Sequence, residues 1–155
     1  MTLDPTTSVD VLRAFDACLN DLKIPLISSH LESIKILTQA FESSSIARWR
    51  FIIVTSKLVF DQMYVPSIYS YVYSKQDIHL EEFLKTIEKT EDKSARNKLM
   101  KQIPKIVKAY DLEYKTLLQQ FLDQTGLQAL IKEMEEEDDL RRVGTYKAGW
   151  RPKDV

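Results

Sequence analysis

Apolar residues return every three or four positions through most of this chain, the spacing of one face of an α-helix. Glycine supplies the positive-φ turns that hairpins and phosphate loops need, and it occurs only 3 times in 155 residues. The two features together predict an all-α protein. They argue against a β-barrel and against a nucleotide-binding α/β enzyme. A chain of this length buries about 70% of the surface its unfolded form exposes, which is enough for one real core. The expected architecture is a single-domain helical bundle or short superhelix of about seven to eight helices. It occupies residues 1–143, with residues 144–155 as a C-terminal tail.

The individual helices follow from their stripes and stop signals. A first helix is expected from Ser8 to Leu22, with Val11, Leu12, Phe15, Leu19 and Leu22 facing inward and Pro25 ending it. Ser29-His30-Leu31-Glu32 reads as a capping box that opens a second helix, with Leu31, Ile34, Leu37 and Phe41 as its buried stripe. From Ile46 to Tyr64 the apolar arc is wide, which places that helix at the centre of the domain. Pro66 falls at a new first turn or at a kink. The run Ile68 to Tyr73 has strand-like residue types, but a lone strand leaves its backbone groups unpaired, so it is read as helix. Further helices are expected over Asp77 to Glu91, Ser94 to Gln102, a stretch after Pro104 that stops at Thr125-Gly126, and Leu127 to about Arg142.

Charge and cysteine usage narrow the function classes. The 22 Lys+Arg and 23 Asp+Glu give a formal charge of −1, so no global field draws the protein to nucleic acid or anionic lipid. The single Cys excludes an internal disulfide and any multi-thiolate metal site, which fits an intracellular protein, cytoplasmic or nuclear. The longest apolar run, Phe51-Ile52-Ile53-Val54, is far short of the roughly 18 residues of a membrane span. No phosphate loop, nucleophile elbow, H-E-x-x-H or C-x-x-C is present, and neither His30 nor His79 follows a Glu by three. No catalytic residue, metal or cofactor is therefore assigned. Cys18 reads as a small buried hydrophobe, with no basic cluster to activate it.

Three features rise above this background. Tyr64, Tyr69, Tyr71 and Tyr73 fall within ten residues, and tyrosine suits interfaces because its ring is apolar and its hydroxyl polar. Lys98, Lys101, Lys105 and Lys108 lie in a stretch that has no acid between Asp92 and Asp111. On a continuous or gently bent helix their spacing aligns them as a stripe for an anionic partner. The tail carries Tyr146, Trp150 and Arg151, residue types that dominate interface hot spots, and reads as a docking peptide. The acidic run Glu133 to Asp139 has three outlets: the basic stripe, a second copy of the chain, or solvent.

The function expected from these features is a non-catalytic protein–protein interaction module, an adaptor or subunit of a larger intracellular complex. Tyr69, Tyr71, Tyr73, Tyr146, Trp150 and Arg151 form its contact set, and self-association is a further option. The alternative is a nucleic-acid-associated factor that uses the lysine stripe.

Overall fold

A computed structural model describes residues 8–26, 30–42 and 48–147; for residues 8–10, 30, 41, 48, 49 and 141–147 the description covers the backbone. Helices α1 (Ser8–Asp21), α2 (His30–Glu42) and α3 (Arg48–Val59) come first. A π-helical turn (Phe60–Tyr64) then leads directly into α4 (Val65–Lys89). Helices α5 (Lys93–Met100), α6 (Ile103–Thr125) and α7 (Leu127–Lys147) are the last among the described residues. No strand occurs among the described residues, and the fold is all-α as expected. Among the described residues the seven α-helices make five helical segments, because α3 and α4 fuse through the π turn and α5 meets α6 across the two-residue turn Lys101-Gln102. No helix of the described residues is long and apolar enough to cross a membrane.

Packing gathers the core at one end of the molecule. Helix α1 lies on α2 and α6, α2 on α3, α3 on α7, and α4 on α6. Val11, Leu12, Phe15 and Leu19 of α1 meet Leu37, Ile52, Val59 and Ile68, and four aromatic rings form the centre. Phe121 stacks on Phe60 at 4.9 Å and reaches Phe15 and Tyr64 at 5.3 and 5.5 Å, while Phe15 meets Tyr64 edge-on at 4.9 Å. Such ring pairs add about 0.5–1.5 kcal/mol each beyond their area burial. Cys18 is buried beside them and its thiol donates to Gln124 Oε1 at 3.2 Å. Burial, and after it the Asp21 carboxylate, pushes the Cys18 pKa up to about 11.

The rest of the α4–α5–α6 segment is thin. Between residues 73 and 120 only Ile87 is buried, so the outer halves of α4 and α6 form an arm with almost no core of its own. This arm positions the candidate site.

Several local expectations change. Helix α1 ends at Asp21, before Pro25, in a motif built on Lys23 in the left-handed region at φ 58. The Lys23 amide donates to the Asn20 carbonyl and the Ile24 amide to Leu19, with Leu19 and Ile24 both buried. Leu31 is 74% exposed and does not belong to the buried stripe of α2; Ser33 and Leu37 are buried, Ile34 and Ile36 pack half-buried against the core, and the Phe41 side chain lies outside the described residues. Helix α2 begins at His30, and Ser29, the expected capping residue, lies outside the described residues. The helices expected on either side of Tyr73 and Asp77 are one continuous α4. Asp92 caps α5, accepting from the Ala95 amide at 3.3 Å.

Pro66 sits in the first turn of α4, directly after the π turn. A proline ring clashes with the carbonyl four residues back in regular α geometry, and the wider π turn relieves that crowding. Ser67 Oγ donates to the Met63 carbonyl at 2.9 Å beside it. The expected stop at Gly126 is present, with Gly126 at φ 72. Helix α7 passes the expected 143/144 boundary and runs through Gly144 to Lys147.

Candidate functional site

Tyr69 and Tyr73 are one turn apart on α4, so their side chains share a face. Their ring centroids lie 4.4 Å apart, and both rings meet Tyr114 of α6, at 5.7 and 5.6 Å. The Tyr73 hydroxyl donates to Asp111 Oδ1. That bond, reinforced by partial desolvation and the Asp111 charge, pushes the Tyr73 pKa up to about 12. Burial and then Tyr69 raise the Tyr114 pKa in the same direction. Tyr69 remains half open to solvent.

Tyr71 is not part of this cluster. Its ring packs toward the core and carries the Lys75 ammonium 4.2 Å above its centroid. Lys75 in turn ion-pairs with Glu113 of α6. Desolvation works against the Lys75 charge, but the bond to Glu113 and its attraction outweigh that and raise the Lys75 pKa. One turn further along α4, His79 Nδ1 lies 3.0 Å from the Tyr110 hydroxyl. The seam between α4 and α6 thus carries a ladder of polar and aromatic pairs.

The basic stripe spans two helices and the turn between them. Lys98 lies on α5, Lys101 in the turn, and Lys105 and Lys108 on α6; all four are exposed. Lys105 lines an open cleft together with His79, Gln102, Ile106 and Tyr110. The acidic run takes another course: Asp138 accepts both Arg50 guanidinium nitrogens, at 2.5 and 3.0 Å, and so joins α7 to α3. Trp150 and Arg151 lie outside the described residues, and Tyr146 falls in the part of α7 described by its backbone.

Sequence reasoning missed the His79–Tyr110 and Arg50–Asp138 pairs, whose members stand 31 and 88 residues apart. Nothing in local spacing signals them. Among the described residues no group of three His, Cys, Asp or Glu side chains is placed to hold a metal ion. No protein-family model, curated protein or solved structure matches this chain, so the case for function rests on the side chains themselves.

Proposed function

We propose that this protein is a non-catalytic interaction module, an adaptor or subunit of a larger intracellular assembly, and that the α4–α6 arm is its contact surface. The observation that carries the reading is the arm's unfinished packing. Ile78 is 60% and Leu112 66% exposed, and Leu84 and Met100 are half open, on the 73–120 segment where Ile87 alone is buried; Tyr69, just before it, is half open as well. Covering each such side chain with a partner is worth on the order of 1 kcal/mol. Tyr69 adds the rigid, amphipathic kind of contact that dominates binding hot spots.

Affinity purification of the intact protein, with mass spectrometry of what it retains, tests the reading. Two variants accompany it: a paired Ile78→Asp and Leu112→Asp change, and a chain lacking residues 144–155. Loss of partners in the first variant, with helical circular dichroism unchanged, is the expected result. Loss confined to the shortened chain moves the contact to Tyr146, Trp150 and Arg151 and overturns the arm. A nucleic-acid-associated role is the second reading, favoured by the exposure of all four stripe lysines. Its mark is a steep loss of affinity with salt in a gel-shift series.

A further inference from the structure

Between the middle of α4 and the first turns of α6 lies an open cleft of about 520 Å³. We propose that this cleft binds a small soluble phosphorylated ligand, a phosphomonoester or diphosphate, with Lys105, His79 and Gln102 as the recognition groups.

The chemistry of the lining points to an anion. Lys105 contributes an ammonium, and Gln102 contributes an amide donor. His79 has Nδ1 engaged by the Tyr110 hydroxyl at 3.0 Å. When Tyr110 donates that bond, the ring hydrogen sits on Nε2, which then becomes a donor toward the ligand. Ile106 gives the same cleft an apolar wall for a carbon skeleton, and the volume exceeds what a bare ion needs.

The surrounding charge favours more than one negative unit. Lys98 on α5, Lys101 in the turn and Lys108 on α6 flank Lys105, all exposed, with no ion pair to a described residue. Asp138 of the chain's acidic run is turned to Arg50 on α3, and among the described residues no acid of that run is ion-paired with these lysines. One acid, Glu113, lines the cleft, and Lys75 holds it in an ion pair. A carboxylate ligand would satisfy a single ammonium; a phosphoryl dianion makes use of the whole local field. The cleft shares the α4–α6 arm with the tyrosine cluster, but Tyr69, Tyr73 and Tyr114 do not line it, and the proposal does not depend on the interaction reading above.

Isothermal titration calorimetry with inorganic pyrophosphate, paired with NMR of the His79 ring, tests the proposal on the intact chain. Saturable binding that shifts the His79 ring signals is expected, with acetate giving no saturable response. Lys105→Ala is expected to weaken binding about tenfold and His79→Ala severalfold, the loss of charge-assisted hydrogen bonds. Lys85→Ala, a change to an exposed α4 lysine paired with Glu81, is the control and leaves affinity within about twofold. Equal losses for Lys105→Ala and Lys85→Ala would mean diffuse charge attraction and overturn the site. So would retention on phosphatidylcholine vesicles bearing phosphatidylinositol bisphosphate without any saturable response to pyrophosphate, because the lysines would then be reading a membrane surface.

Discussion

The Tyr64 hydroxyl donates to Asp16 Oδ1 at 2.9 Å and so ties the π turn to α1 beneath the aromatic core. Tyr64 is fully buried while Asp16 reaches the edge, so the bond spends a polar group of the core on a carboxylate that water also touches. Ser33 of α2 lies near the same oxygen without completing a well-formed hydrogen bond. Tyr64→Phe keeps the ring and its contacts with Phe15 and Phe121 and removes only this bond. A hydrogen bond to a charged group is worth about 1.5–3 kcal/mol, and water access to Asp16 places this one near the lower end. Urea unfolding is expected to show that loss at unchanged slope; an unaltered midpoint would mean that the bond contributes nothing net.

Alkaline pH is expected to destabilise the protein through the same residue. Burial first, and Asp16 second, raise the Tyr64 pKa above its ordinary 10, and the Cys18 thiol is raised from 9.0 to about 11. In both cases the unfolded chain loses its proton at lower pH than the folded one. Their stabilising effect is therefore complete below pH 9 and declines as pH rises, first through Cys18 and then through Tyr64. Tm measured from neutral pH upward should fall beyond pH 9, and Tyr64→Phe should flatten the part above pH 10. A parallel fall in the variant would remove Tyr64 from the alkaline branch.

Lys23 offers a stabilising change. It holds a left-handed φ of 58 to close α1, a conformation that costs a residue with a Cβ about 1–2 kcal/mol. Lys23→Gly removes that cost and returns a part of it as extra freedom of the unfolded chain, leaving a gain of about 0.5–1 kcal/mol. In a chain of this size the gain reads as a Tm higher by roughly 1–4 °C. A lower Tm would show that the lysine side chain supports the turn in another way.

The same turn shows where the sequence is legible. The burial of Leu12, Phe15 and Leu19 follows from simple i, i+3, i+7 spacing, and Gly126 announces its own left-handed turn. Lys23 carries no such signal, and Pro25, the visible breaker, acts after the helix has already closed. Leu31 fits the helical period of α2, yet the neighbours of α2 turn Ser33 inward and leave Leu31 in solvent. That choice belongs to packing against α1 and α3, which periodicity does not contain. At the site, the Tyr69–Tyr73 spacing is readable on one helix, whereas their contacts with Tyr114 and the His79 cleft exist only once α4 lies against α6. Ser74, Lys75 and Gln76 look like a break between helices and are instead part of the ladder, with Lys75 reaching Glu113.

Helix α7 depends on charge along its second half. Leu127 is buried and Leu130, Ile131 and Met134 are half-buried, but from Glu135 onward apolar cover thins and Leu140 is exposed. There Asp138 receives the Arg50 fork on both oxygens. The Arg50 pKa is raised by that hydrogen bond first, with desolvation opposing it and the charges of Asp138 and Glu137 adding to it. Arg50→Ala is therefore expected to speed amide hydrogen exchange across residues 135–147 while leaving exchange in α1 and in the Phe121 region of α6 unaltered. Arg50→Lys supplies one point charge in place of a planar pair of donors and is expected to fall between wild type and Arg50→Ala. Because an exposed pair is screened by salt, raising ionic strength should speed exchange over residues 135–147 in the wild type and change Arg50→Ala much less. Equal salt responses in the two proteins would show that the α7 segment is held by its remaining contacts, and the Arg50–Asp138 fork would then be an ornament of the surface.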